Sequence, residues 1–272
     1  MSTRFLRLVW LYPDLLSTYG DRGNLLVLAH RAQARGIEVE PIQVRSDQTI
    51  PRQADIYLIG GGEDGPQAGA AERLIADNGL NEAADTGKPI LAICAGYQLL
   101  GQSFYASGQA FPGIGVLDLH SDRGEKRAVG EVTGDADPNL GLGTITGFEN
   151  HGGRTHLGEA VQPLAKVTHG IGNEGATEGA WAGHIIGSYL HGPALARNPQ
   201  IADLLLSWAV GCHPSQLAEI DDQWTTKLRQ ERFAALEEKA LAPTRYARAP
   251  LLSLARVQVI HYRGGYSRRA EL

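Results

Sequence analysis

Cys94 lies in the segment Lys88-Pro-Ile-Leu-Ala-Ile-Cys94-Ala-Gly-Tyr-Gln98-Leu-Leu-Gly101. Pro89 stands where a strand can begin, and Ile90, Leu91 and Ile93 form an apolar run suited to a strand covered on both faces. The residues after Cys94 read as a helix, so the thiol sits on a strand-to-helix elbow. Such an elbow pushes a side chain out of the sheet, and the small neighbours Ala95 and Gly96 let a substrate approach it. The helix start offers unpaired N–H groups and a positive dipole end, both of which favour thiolate. Thiolate is the form that attacks a carbonyl carbon.

A cysteine nucleophile needs a base and an oxyanion site. His191, in Gly187-Ser-Tyr-Leu-His191-Gly-Pro193, ends an apolar β segment just before a turn. Its ring is expected to emerge at a strand end, as Cys94 does, and an imidazolium there would lower the thiol pKa. His151, in Phe148-Glu-Asn-His-Gly-Gly-Arg154, is the rival base; His30, His156, His169 and His184 have no comparable setting. Gly60-Gly61-Gly62 follows a strand and is the expected oxyanion element, since glycines let backbone N–H groups turn toward a developing charge. The Gly-X-Gly patterns fit neither a Walker loop nor a dinucleotide fingerprint. No His, Cys or carboxylate cluster has metal-ligand spacing. The chain is therefore expected to hold no metal and no cofactor.

These residues need a scaffold. Residues 6–11, 37–44 and 54–59 read as strands, and residues 25–35 and 70–86 as helices, before the Cys94 strand and helix. Strands alternating with helices imply parallel pairing and right-handed crossovers, hence an α/β fold with a three-layer, mostly parallel sheet and helices on both faces. Ligands in such sheets bind beyond the carboxyl ends of the strands, where Gly60–Gly62 and Cys94 both fall. From 111 to 187 the chain is rich in Gly and Thr, with short β runs at 129–133, 143–148, 164–167 and 183–188. They suggest a more antiparallel, loop-rich continuation of the same domain. Residues 200–210 and 216–241 read as helices, the second charged and amphipathic. We divide the chain into a domain of residues 1–212 and a C-terminal helical extension of residues 213–272. That extension ends in an Arg-containing tail and is a candidate partner-binding element.

Composition bounds the partners. The chain has 272 residues, with 43% hydrophobic and 20% charged residues, which suits a soluble globular protein. A net charge of -5 leaves no basic footprint for nucleic acid. Two cysteines, Cys94 and Cys212, form a cytosolic pattern rather than a disulfide framework, and Cys212 is assigned to structure. Arg7 interrupts the first apolar run, no signal-cleavage pattern follows, and no stretch suggests a membrane span. The expected location is the cytoplasm.

Taken together, the Cys94 elbow, the Gly60 loop and His191 resemble the class I (triad-type) glutamine amidotransferases. The segments Tyr19-Gly-Asp-Arg-Gly-Asn24, Gly60-Gly-Gly-Glu-Asp-Gly-Pro-Gln67, Gly147-Phe-Glu-Asn-His-Gly-Gly-Arg-Thr155 and Ser188-Tyr-Leu-His-Gly-Pro193 narrow the resemblance to the cobyric-acid-synthase-like branch. It covers roughly residues 5–210. A stand-alone chain of this length is most similar to the glutaminase subunits of lipid II isoglutaminyl synthases.

The resemblance implies that Cys94 attacks the side-chain amide of L-glutamine, giving a γ-glutamyl thioester and ammonia, with His191 moving the proton. It implies oxyanion donors at Ala95 and the Gly60–Gly62 loop. It also implies substrate contacts at Gln98 and a pocket border at Asn150 and His151. Arg127 is a candidate clamp for the α-carboxylate. Many class I members carry a glutamate two residues after the base, where this chain has Pro193. The third member is absent, supplied from elsewhere (Glu149 is one candidate), or contributed by a partner. The implied partner is a MurT-like, Mur-ligase-type synthetase subunit that carries ATP and Mg. It would amidate the α-carboxyl of D-glutamate in lipid II, a lipid-linked acceptor, without membrane insertion of this chain. A corrinoid acceptor and a stand-alone γ-glutamyl amidase or hydrolase are the alternatives.

Overall fold

The structure is a computed structural model; it describes residues 5–18 and 20–241, with side chains described through residue 236. The tail at 243–272, read above as a candidate partner-binding element, lies outside the described residues.

The chain begins with β1 (Phe5–Leu11), α1 (Arg22–Gln33), β2 (Glu38–Val44) and β3 (Ile56–Ile59). Then come α2 (Asp64–Asp77), α3 (Gly79–Asp85), β4 (Ile90–Ile93) and α4 (Ala95–Leu99). A β-rich stretch follows: β5 (Ser103–Ala106), β6 (Gln109–Pro112), β7 (Leu119–Ala136), β8 (Thr144–Leu157), β9 (Ala165–His169) and β10 (Thr177–Glu178). The chain then forms β11 (Ala180–Ala182), β12 (Ile185–Ser188), α5 (Ala194–Arg197), α6 (Pro199–Val210) and α7 (Gln223–Leu241).

Among the described residues, the first sheet has six strands in the order β11-β12-β4-β3-β1-β2. Every neighbouring pair is parallel except β11 with β12. β3, β4 and β12 are buried along their whole length, as strands covered on both faces must be. β2 lies at the edge and is largely exposed, so Pro41 is tolerated there without costing the interior a ladder bond. Helices α1, α5 and α6 pack with one another, and α2 packs with α3 and α4. These two groups give the helix layers on both faces that the alternating pattern predicts.

Several helix boundaries differ from the pattern, among them the start of α7 at Gln223 where a helix is expected from 216. The helix expected over 70–86 is two helices, because Asn78 adopts the left-handed conformation (φ 61) and breaks the run. Asn tolerates that region where most side chains do not. α2 also starts at Asp64, upstream of Pro66, since proline in a first helical turn sacrifices no internal bond. α1 starts three residues earlier than its apolar spacing suggests, with Asp21 at its N-cap.

The second sheet runs β10-β9-β7-β5-β6, and β8 pairs with β7. Of the short β runs seen in the sequence, 164–167 falls on β9 and 183–188 on β12 of the first sheet. Those at 129–133 and 143–148 are pieces of a long antiparallel β7–β8 ribbon, whose register shifts between Arg123 and Ala128. The charged stretch 120–127 hides this ribbon from pattern reading. It is extended yet mostly exposed, so it lacks the apolar alternation of a half-buried strand.

One compact unit spans Met1–Arg229, and a second, Gln230–Leu272, contains the C-terminal turns of α7. Within the first unit, Arg31 on α1 forks onto Asp203 of α6 and onto Asp222, with N···O distances of 2.7 Å to each. Cys212 follows the α6 C-cap, its N–H donating to the Ser207 carbonyl.

Candidate active site

β4 and β12 are parallel neighbours in register, Ile93 beside Ser188. Their carboxyl ends release Cys94 and the segment Tyr189–His191 at the same edge. The Cys94 backbone has φ 55 and ψ -108, a strained elbow of the kind that persists where surrounding structure over-determines it. Its N–H donates to the Ser188 carbonyl at 2.8 Å, and its carbonyl accepts from Gln98 N–H. Gly96 lies so close to the β3 end that a Cβ would sit 2.8 Å from the Gly60 carbonyl, which explains the small residue two positions after Cys94.

His191 is pinned to β8 by a reciprocal pair of backbone bonds with Phe148 (2.9 and 3.1 Å). A Cβ on Gly61 would lie 3.1 Å from His191 Cε1 and 3.2 Å from Cys94 Cβ, so both side chains crowd one point on the Gly60–Gly62 loop. Behind the imidazole stands Asp21. Its Oδ1 is 3.7 Å from His191 Nδ1, and its Oδ2 accepts the Gly61 N–H at 2.6 Å. Both side chains are almost fully buried. Burial works against the imidazolium, yet Asp21 and the Cys94 thiol outweigh it and push the His191 pKa up to about 9.

The acid beside His191 is therefore Asp21. Glu149 spends its oxygens elsewhere, accepting from the N–H groups of Ile171 and Gly172 and facing His151 Nε2 at 3.4 Å. Burial disfavours the Glu149 charge, but His151 and these two N–H groups hold its carboxyl below the usual range. The Asp21 signal was present in Tyr19-Gly-Asp-Arg-Gly-Asn24, but nothing in its spacing links it to residue 191. The Gly61 N–H that Asp21 occupies fixes the loop. The N–H groups of Gly62 and Ala95 donate to no partner among the described residues, and both residues line the pocket.

That pocket has a volume of about 540 Å³ and is lined by Gly62, Cys94, Ala95, Gln98, Arg127, Asn150 and His151, among others. Gln98 is held on both ends: its Oε1 accepts from Gln67, and its Nε2 donates to the Tyr189 hydroxyl at 2.9 Å. Arg127 reaches across the ribbon, its Nε donating to Asn150 Oδ1 at 2.6 Å. His151 is buried, stacked on Tyr189 with ring centroids 3.7 Å apart, and its Nδ1 lies 3.0 Å from the Gly153 carbonyl. The structure thus brings Cys94, His191, Gly61 and Asp21 together, and gathers Gln98, Arg127, Asn150 and His151 around the adjoining cavity.

Glu178 is a group that sequence reading did not single out. It is fully buried on β10, and its Oε1 accepts from the Ser188 hydroxyl (2.7 Å) and the Tyr189 N–H (2.8 Å). The Ser188 hydroxyl in turn accepts from Leu190 N–H. Glu178 therefore braces the segment that carries His191 and that receives the Cys94 N–H. Burial pushes its carboxyl up to about 7, against the opposing pull of these two hydrogen bonds.

The chain is similar to known proteins over most of its length. Residues 7–199 match the CobB/CobQ-like glutamine amidotransferase domain. The chain is 38% identical to the Staphylococcus aureus lipid II isoglutaminyl synthase (glutamine-hydrolyzing) subunit GatD, covering 80% of this chain and 90% of that protein. It is 36% identical to the Streptococcus pneumoniae subunit of the same name, covering 75% of this chain and 80% of that protein. A cobyric acid synthase from Desulforamulus reducens is 33% identical over 60% of this chain and 34% of its own length. A solved glutamine amidotransferase from Thermotoga maritima shares the fold with a TM-score of 0.51 at 15% identity, over 87% of this chain and 99% of that chain.

Proposed function

Because the chain belongs to the CobB/CobQ-like glutamine amidotransferase family, we propose that it is the glutamine-hydrolysing subunit of a lipid II isoglutaminyl synthase, a GatD-type protein. The observation that carries this reading is the meeting of Cys94 and His191 at Gly61, with Asp21 behind the imidazole. Glutamine enters the pocket with its side-chain amide at Cys94. The thiolate attacks the amide carbon, and the oxyanion forms against the N–H groups of Gly62 and Ala95, where one such donor is worth roughly 3 kcal/mol. His191, held as imidazolium by Asp21, gives its proton to the leaving nitrogen, so ammonia departs and a γ-glutamyl thioester remains. The neutral imidazole then takes a proton from water, which attacks the thioester and releases glutamate.

Gln98, Arg127 and Asn150 bind the amino-acid end of the substrate, with Arg127 the ligand for its α-carboxylate. Ammonia released into neutral water becomes ammonium, which is no nucleophile. The reading therefore includes a docked MurT-like, Mur-ligase-type partner that uses ATP and Mg to activate the D-glutamate α-carboxyl of lipid II. This chain itself needs no cofactor in the scheme. Among the described residues no helix is long and apolar enough to cross a membrane. The lipid-linked acceptor would accordingly meet the complex at the membrane surface, and the reaction would take place in the cytoplasm.

The test is a steady-state assay of glutamate release by the full chain, alone and with the Mur-ligase-type protein that co-purifies from its host. Lipid II, ATP and Mg are supplied, and product mass is read alongside. Partner-dependent release and amidated lipid II are expected, both lost in Cys94→Ala. An unchanged rate with partner present, activity on γ-glutamyl peptides, or amidation of a corrinoid in place of lipid II would overturn the assignment.

A further inference from the structure

On the outer face of the β7–β8 ribbon, His120 and His156 are cross-strand register partners, and Asp122 lies two residues along β7 on the same face. All three are exposed. The imidazoles stack with centroids 5.0 Å apart, and their Nε2 atoms point at one oxygen, Asp122 Oδ2, at 3.8 Å (His120) and 3.7 Å (His156). One ligand atom from each residue lies within 4.8 Å of the other two. These separations exceed a hydrogen bond. They are near the roughly 3.4 Å that separates ligand atoms arranged tetrahedrally around a metal at about 2.1 Å. We propose that His120, Asp122 and His156 form a binding site for a divalent transition metal of the zinc class, which would clip β7 to β8 beside the pocket.

The donor set decides the class of ion. Two imidazoles and one carboxylate suit zinc, cobalt, nickel or copper, whereas magnesium and calcium prefer all-oxygen shells. The site is open, because three protein ligands leave positions for water. The cation across the strand from Asp122 is engaged elsewhere. Arg154, the register partner of Asp122, donates to the carbonyls of Gly153 and Lys126.

The inner face of the same ribbon gives the site a role. Ser121 and Thr155, also register partners, are buried with hydroxyls 2.8 Å apart, and Thr155 Oγ1 lies 2.7 Å from the Tyr189 hydroxyl. That hydroxyl is the group that receives Gln98 Nε2. Arg123, next along β7, lines the pocket where the register shifts. A metal on the outer face would fix the strand pair whose inner face positions Gln98. Sequence spacing hides the trio because His156 comes from the other strand.

The experiment titrates the full chain with Co²⁺, read by its visible absorption bands, and with Zn²⁺, read by calorimetry. The parent carries Cys94→Ala, so that the active-site thiolate does not compete. One equivalent should bind. His120→Ala, Asp122→Asn and His156→Ala should each weaken binding by at least the 10- to 100-fold typical of losing a mere supporting contact to a ligand. His30→Ala should leave it unchanged. Imidazole NMR signals of the parent provide a reading that does not depend on how the variants fold: Zn²⁺ should shift those of His120 and His156. No saturable binding at micromolar metal, equal affinity in the three variants, or shifts confined to other histidines would overturn the proposal.

Discussion

Asp21 Oδ1 stands 3.7 Å from His191 Nδ1, while the other oxygen of the same carboxylate holds the Gly61 N–H. One side chain thus supports the His191 imidazolium electrostatically and fixes the loop that His191 and Cys94 both crowd. Asp21→Asn keeps the acceptor for Gly61 and removes the charge. It should lower kcat by about 10- to 100-fold, less than the ~10⁴ of a serine triad, because a thiol ionises more readily than a hydroxyl.

The same contact sets a pH dependence. His191 is raised from its ordinary 6.5 to about 9, so imidazolium persists through neutral pH and is lost as pH rises through about 9. Its contribution to stability runs the same way, fully present below about 6.5 and gone above about 9. The alkaline limb of kcat/KM should therefore fall near 9 and move down in Asp21→Asn. An alkaline limb that stays in place in the variant would remove Asp21 from this role.

Gly61→Ala should act as a wedge. The new methyl would lie 3.1 Å from His191 Cε1 and 3.2 Å from Cys94 Cβ, so one of the two must shift. Because misplacement by about 1 Å can cost 10²-fold, kcat should drop by roughly 10- to 100-fold. A melting curve recorded alongside should change little, and a large fall in Tm with kcat intact would contradict the reading.

Arg127 tests substrate binding apart from chemistry. Charge-assisted hydrogen bonds contribute about 1.5–3 kcal/mol, so Arg127→Ala should raise the glutamine KM by roughly 10- to 100-fold with a small effect on kcat. A fall in kcat at constant KM would assign Arg127 to another step.

Glu178 predicts a stability profile. Its folded pKa of about 7 lies above the ordinary carboxyl value of 4.5, so the folded chain holds this proton more tightly than the unfolded one. The contribution of this group to stability therefore falls as pH rises from about 4.5 to 7 and stays low above that. Glu178→Gln keeps an acceptor for Ser188 and Tyr189 and removes the titration. Denaturant melts at pH 5, 6, 7 and 8 should show a flatter profile for the variant; parallel profiles would sink the idea.

The α/β class and the strand-to-helix elbow at Cys94 were legible because each depends on local pattern. The apolar runs at 90–93 and 56–59 suit strands covered on both faces, and the small neighbours of Cys94 suit a strand-to-helix elbow. The ribbon at 119–157 was legible only in fragments, since exposed strands lose the alternation that marks half-buried ones. Asn78 split a helix that periodicity reads as continuous, because backbone handedness at one residue leaves little trace in hydrophobic spacing.

Local chemistry therefore determined which side chains were available: a thiol on an elbow, an imidazole at a strand end, a glycine loop between them. Tertiary structure alone decided their company, placing Asp21 rather than Glu149 beside His191 and joining His120 to His156 across two strands. The reason is physical: hydrophobic periodicity and turn chemistry act over a few residues. The distance between two charged groups is set by sheet order and register, which depend on how the whole chain packs.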